Sequence, residues 1–81
     1  MIELKINYSS TMPLHQQIHD KILSDIRNGR FDKGANFPSI HELSKNFCVS
    51  IVTVSRAYRK LIRDGVLAHV KGQGYFVVFE L

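Results

Sequence analysis

Apolar residues return every fourth position at Leu14, Ile18, Ile22 and Ile26, with Leu23 beside them. Steps of four keep to one side of an α-helix, so the pattern predicts a helix over about residues 13–28. Ser9-Ser10-Thr11 supply cap residues ahead of it, and Pro13 suits a first helical turn. Asn28-Gly29 then offers the left-handed residue that ends a helix. Further upstream the period changes. Residues 2–7, IELKIN, alternate apolar and polar, and read as a short strand or an extended arm.

Two more helices follow. Residues 31–37 read as a loop around Gly34. Ser39 and Glu42 then form a capping box, in which the hydroxyl meets one free amide and the carboxylate another. Ile40, Leu43 and Phe47 give the apolar side of a short helix over about 39–47. Asn46 to Val49 is a tight connection, and Ser50 is a cap for whatever comes next. What comes next begins Ile51-Val52-Thr53-Val54, a β-branched run that on propensity alone suits a strand. Yet Val54, Ala57, Tyr58, Leu61 and Ile62 fall at helical spacing. β-Branching costs a helix only roughly tenths of a kcal/mol per residue, and burial of that stripe outweighs it. The pattern therefore predicts a helix over about 51–64, stopped by Asp64-Gly65. Ile51, Val52, Ser55, Arg56, Arg59, Lys60 and Arg63 lie off its core stripe. Val66 to Val70 and Tyr75 to Phe79 are strand-like runs around Lys71-Gly72-Gln73-Gly74, which predicts a β-hairpin over about 66–79.

The expected fold class is α+β, mainly helical: a winged helix-turn-helix in one domain over residues 1–81. It has three helices followed by a two-stranded hairpin wing, with residues 2–7 as an optional short strand. Two short helices joined by a tight turn, the second basic on its outer face, suit the DNA major groove, which admits one α-helix. A hairpin after that helix can reach the backbone or the minor groove.

Composition narrows the choice of partner. The 81 residues are 44% hydrophobic, enough for one modest core and too many for a disordered chain. The net charge of +4 is small, but it is local. Between Leu43 and Arg63 lie five basic residues (Lys45, Arg56, Arg59, Lys60, Arg63) and no acid. That distribution admits a nucleic-acid partner. Of these, Arg56 is expected at a phosphate, and Arg59, Lys60 and Arg63 as an ordinary solvated face. No apolar run is long enough to span a membrane. The single cysteine, Cys48, excludes an internal disulfide, suits a reducing cytosol, and is expected as a small buried thiol. His15 and His19 stand four apart on the first helix, a spacing open to a metal, but no third ligand is near and a solvated face is expected. No cofactor is expected. Nothing forms a nucleophile–base set or a paired-carboxylate cleft, and Gly72-Gln73-Gly74 is a hairpin tip with no helix after it, so an enzyme is not expected. Tyr58 is expected in the core, and Tyr75 and Phe76 are expected to pack the wing onto the body.

Six pieces in order carry a family likeness: Pro13-Leu14-x-x-Gln17-Ile18, Phe37-Pro38-Ser39-x-x-Glu42-Leu43, Val49-Ser50-x-x-Thr53-Val54, Arg56-Ala57-Tyr58-x-x-Leu61, Asp64-Gly65-Val66-Leu67 and Gly72-x-Gly74-Tyr75-Phe76-Val77. Over about residues 3–79 the chain resembles the winged-helix DNA-binding domain of the GntR transcriptional regulators, most closely the YtrA-type branch. The resemblance implies a cytoplasmic transcriptional regulator, usually a repressor, that binds a palindromic operator on double-stranded DNA as a homodimer. It implies DNA-facing positions at Ser39 and His41 on the second helix, at Ser50, Ile51, Val52, Thr53, Ser55 and Arg56 on the third, and at Lys71, Gly72 and Gln73 on the wing tip. It leaves the effector open.

Three departures matter. The family usually has Arg where His41 stands, Arg or (in the YtrA-type branch) Pro where Ile51 stands, and often Arg where Ser55 stands. Arginine can bond guanine O6 and N7 together, and neutral His41, Ile51 and Ser55 cannot. Ile51 and Val52 can instead meet thymine methyl groups, so the expected site leans to A/T, with affinity resting on phosphates. The tail that serves dimerisation and effector sensing in the family has no counterpart here. The chain is thus expected to be either the DNA-reading fragment of a larger effector-sensing regulator or a minimal natural form. A winged-helix protein-interaction module is the alternative, and lack of salt-dependent duplex binding would mark it.

Overall fold

The computed structural model describes residues 6–79. The element order is α1 (Leu14–Arg27), β1 (Asn36–Phe37), α2 (Ile40–Phe47), α3 (Ile51–Arg63), β2 (Leu67–Val70) and β3 (Gly74–Val77). All three helices stand where the periodicity puts them. The alternation over residues 2–7 falls largely outside the described residues, and Ile6 and Asn7 carry no strand.

The start of α1 differs from expectation. Ser9-Ser10-Thr11 do not cap it; Pro13 occupies the cap position and no side chain bonds the first turn. Ser10 Oγ instead accepts the Met12 amide at 3.1 Å, within a turn that also holds the Ser9 amide on Asn7 Oδ1 at 3.0 Å. Gln17 fastens this turn to the helix. Its Oε1 accepts the Asn7 amide at 2.9 Å, and its Nε2 donates to the Asn7 and Met12 carbonyls at 3.0 and 2.9 Å. At the start of α2, Ser39 Oγ accepts the Glu42 amide at 3.1 Å. The return bond from the Glu42 carboxylate, which a full capping box has, is absent among the described residues.

The stripes meet in one core. Ile18, Ile22 and Ile26 of α1 pack with Leu43 of α2 and with Val54, Ala57, Tyr58 and Leu61 of α3. Phe37, Val66, Leu67 and Val77 close it from the sheet side. Full burial of such side chains contributes about 1.5–3 kcal/mol each, so the set dominates the stability of a chain this short. Leu14, Leu23, Ile40 and Phe47 lie half-buried at its margin. Ile62 does not join it and is 38% exposed. Eight residues at 100° each carry it about 80° round the helix from Val54, off the buried stripe.

The sheet has three strands, not the two of a simple hairpin, in the order β1-β3-β2 and antiparallel throughout. β1 lies inside the stretch expected as a loop. Asn36 pairs with Phe76 and Phe37 with Tyr75, while the Gly34 amide donates to the Val77 carbonyl at 2.7 Å. A two-residue strand is too short to show an alternating pattern; its pairing and the burial of Phe37 make it. Side chains alternate across β3. Tyr75 and Val77 face the body, and Tyr75 meets Tyr58 edge-to-face at 4.9 Å. Phe76, expected to pack inward beside Tyr75, sits half-buried on the other face, opposite Ala68.

Cys48 is exposed, contrary to the expected buried thiol. It is the left-handed residue after α2, with φ 52°, and its amide donates to the Ser44 carbonyl. That position turns the chain away from the helix, so its side chain leaves the core while Val49 enters it.

Candidate nucleic-acid interface

The turn between α2 and α3 is held from both sides. Within it, the Val49 amide donates to the Ser44 carbonyl at 3.2 Å, and Ser44 Oγ donates to the Val49 carbonyl at 2.6 Å. From outside, the Tyr8 hydroxyl donates to the Phe47 carbonyl at 2.6 Å, tying the segment before α1 onto the end of α2. Tyr8 was not among the expected site residues. Nothing local signals it, because its partner lies 39 positions away in the chain.

The tip of α3 is built around Ser50. Its Oγ accepts the Thr53 amide at 3.0 Å and lies 2.7 Å from Thr53 Oγ1. This cap satisfies one of the free amides of the first turn. It also ties two of the expected contact hydroxyls to each other, leaving one hydroxyl proton between them to point outward. The neighbouring side chains are apolar and free: Ile51 is 47% exposed and Val52 63%. Ser55 is half-buried, and Arg56, one turn on from Val52, is exposed. Among the described residues Arg56 has no ion-pair partner.

The other expected positions fall in two further places. On α2, His41 is exposed in the first turn beside Glu42, whereas the Ser39 hydroxyl is spent on the helix cap. On the wing, Lys71, Gly72 and Gln73 are exposed at the tip. Gly72 has φ 80°, and the Gln73 amide closes the turn on the Val70 carbonyl at 2.9 Å. The wing is anchored through Tyr75, which stacks on His69 at 4.5 Å as well as meeting Tyr58. The structure thus joins Ser50 to Thr53 directly, presents Ile51, Val52 and Arg56 on the same helix, and carries the wing tip on a sheet fixed to α3.

The solvated face expected for the remaining charged residues holds only in part. Arg59 and Arg63 are exposed, but Lys60 is half-buried and donates to Gln16 Oε1 at 2.9 Å across the α1–α3 seam. His19 is a correction: it is 5% exposed, packed in that seam and not on a solvated face. Its Nδ1 lies 2.9 Å from Asp20 Oδ1, and its buried Nε2 has no hydrogen-bond partner, with Asp64 Oδ2 at 3.8 Å. The His19 contact holds the Asp20 carboxyl below the usual range. Asp25 is a second buried charge that the periodicity did not reveal, paired with Lys21 Nζ at 3.2 Å. No group of three His, Cys, Asp or Glu gathers at metal-binding distance among the described residues.

A family model described as "Bacterial regulatory proteins, gntR family" matches residues 14–77, almost all of the folded chain. The chain belongs to the gntR family. Its fold is that family's winged-helix DNA-binding fold. The chain is 34% identical over 74 residues to the transcriptional repressor NagR of Bacillus subtilis, a match covering 91% of this chain and 30% of NagR. It therefore spans less than a third of that relative. Among solved structures, YtrA from Sulfolobus acidocaldarius, a GntR-family transcription factor, superposes with a TM-score of 0.87 at 35% identity, covering 96% of this chain and 82% of that one. The DNA-binding domain of AraR, in complex with an operator, superposes with a TM-score of 0.79 at 28% identity, covering 96% and 95% of the two chains.

Proposed function

We propose that the chain is the DNA-reading unit of a bacterial transcriptional repressor of the cytoplasm. α3 enters the major groove of double-stranded DNA by its Ser50 end, and the wing tip at Lys71–Gln73 lies on the backbone or in the minor groove. The observation that supports this most is the near end-to-end match to an operator-bound domain. The chemistry of the tip agrees with it. A capped helix end with exposed Ile51 and Val52, followed by an exposed Arg56, offers methyl groups to base edges and a cation to the phosphates beside them.

Two copies bind a palindromic operator, because each copy presents one recognition helix and reads one half-site. The repressor NagR is about three times longer than this chain, so effector sensing and dimerisation off DNA are not assigned to these residues. The relatives' functions also make a catalytic role an unneeded assumption.

Selection of bound sites from a random duplex pool, at two salt concentrations, tests the reading. An enriched inverted repeat rich in A/T, bound more weakly at the higher salt, is the expected result. A G-rich core under α3 would overturn the A/T lean. Absence of duplex binding even at low salt would overturn the reading and favour a protein-interaction module.

A further inference from the structure

The outward stripe of α3 does not stop at the tip. Val52, Arg56, Arg59 and Arg63 follow at intervals of four, three and four residues, which keeps them on one side of the helix. Past Val52 that side is entirely basic. It borders a cleft of about 270 Å³ between α1 and α3, lined by His15, Arg56, Arg59, Lys60 and Arg63. Four of the five lining side chains are cations, and none is an acid.

An ordinary solvated face would spread these groups into water, and the surroundings of the cleft go against that. The Gln16 amide donates its nitrogen to Asp20 Oδ1 at 2.8 Å, which turns its oxygen toward Lys60. Lys60 is thus held at the cleft by a neutral partner at 2.9 Å, using one of its three donors. The two nearby carboxylates are already engaged at the seam: Asp20 with His19 and Gln16, and Asp64 beside His19 and Arg63 Nε, the latter at 3.6 Å. Arg56 and Arg59 have no ion-pair partner among the described residues, so the cleft is least neutralised at the end nearest the recognition tip. α1 opens beside it with no acid in its first turn and no side-chain cap.

We infer that this cleft is a second phosphate-binding surface, occupied by the duplex backbone that flanks the groove α3 enters. The inference rests on the DNA-reading function above and extends the contact surface to His15, Arg59, Lys60 and Arg63. Continuity with the tip selects DNA phosphates over a free anion: one unbroken stripe carries both the base-facing methyls and the cations. The cleft makes no base contact, so it strengthens binding to any sequence equally.

The test is the salt dependence of duplex binding by the intact chain and an Arg59→Gln/Arg63→Gln variant, on the selected operator and on a random duplex. Both side chains are exposed, so the variant should melt like the wild type. Affinity should fall on the order of tenfold per arginine, alike on both duplexes. The slope of log K against log salt should shrink by about 0.9 for each phosphate no longer neutralised. Arg59→Lys/Arg63→Lys should keep most of the slope, since lysine still neutralises a phosphate. An unchanged slope and affinity in the Gln variant, with Arg56→Gln weakened, would overturn the cleft and leave the DNA-reading function standing. A wild type that binds no duplex would overturn both. If inorganic phosphate at constant ionic strength shifts the Arg59 and Arg63 Nε–H signals while the duplex slope stays unchanged, the site is for a free anion and the inference fails.

Discussion

The Tyr58 hydroxyl of α3 donates to the Pro38 carbonyl, just ahead of α2, at 2.8 Å. One side chain therefore fixes the angle between the two helices of the DNA-reading unit. Its ring also carries the wing, through edge contacts to Phe37 at 5.9 Å and Tyr75 at 4.9 Å. Burial pushes its phenol well above the ordinary tyrosine range, so it stays a neutral donor at any pH where the fold survives. Tyr58→Phe removes only the hydroxyl and should cost about 1 kcal/mol. Tyr58→Ala also opens a cavity and should cost about 3–5 kcal/mol. Urea denaturation of the three proteins checks both values, and equal losses would refute the division between hydrogen bond and packing.

Cys48 sits at φ 52°, where a side chain costs a residue about 1–2 kcal/mol relative to glycine. Its thiol is exposed and contributes no packing to offset that. Cys48→Gly should therefore be more stable than Cys48→Ala by about 1 kcal/mol, measured by thermal melting under reducing conditions. A more stable alanine variant would show that the turn does not need its left-handed residue.

The three helices were legible because each buries a stripe, and a stripe repeats often enough to be seen. Even the β-branched start of α3 was readable, since Val54, Ala57, Tyr58 and Leu61 outweigh the local preference of Ile51 to Thr53. What escaped was of two kinds. β1 is two residues long and owes its existence to β3, forty positions later. His19 and Asp25 are polar residues on buried sides of α1, and a period read from apolar positions passes over them. Cys48 was misplaced because a buried average for cysteine says nothing about the backbone angle of one turn. The candidate interface was legible mainly through the ordered motifs. The Tyr8 clasp and the Gln16–Lys60 bond, which shape it, join residues too far apart to leave a local signal.

The His19–Asp20 contact should make part of the stability depend on acid. The folded carboxyl of Asp20 titrates below its unfolded value, first because His19 bonds the charged form. A depressed carboxyl contributes stability that is present above the unfolded value and lost as pH falls through the folded one. The loss should set in as pH falls below the ordinary aspartate range. The Asp20 side chain is 51% exposed, so solvent screening keeps the effect small. Asp20→Asn should melt below the wild type at neutral pH, and the gap should close across that acid window. A gap that stays constant with pH would mean the contribution is packing, not charge.

The exposed pair Ile51 and Val52 should make the domain sensitive to single methyl groups on DNA. Ser50 and Thr53 bond each other and the helix cap, which leaves one hydroxyl proton between them to donate, so the tip has limited polar reach of its own. Thymidine differs from deoxyuridine only in the methyl group at C5 of the base, which lies in the major groove. Replacing thymines with deoxyuridine in the half-site under α3 should weaken binding without altering any hydrogen bond. A buried methyl is worth about 0.8 kcal/mol, so each critical position should lose about fourfold in Kd. Val52→Ala should bind the thymine operator more weakly and should lose its preference over the uracil form at the same position. The double-variant cycle separates this contact from a general weakening. If Val52→Ala and the uracil substitution lower affinity independently, the valine does not touch that methyl group. If neither matters, the A/T lean must come from the shape of the duplex and not from direct contact.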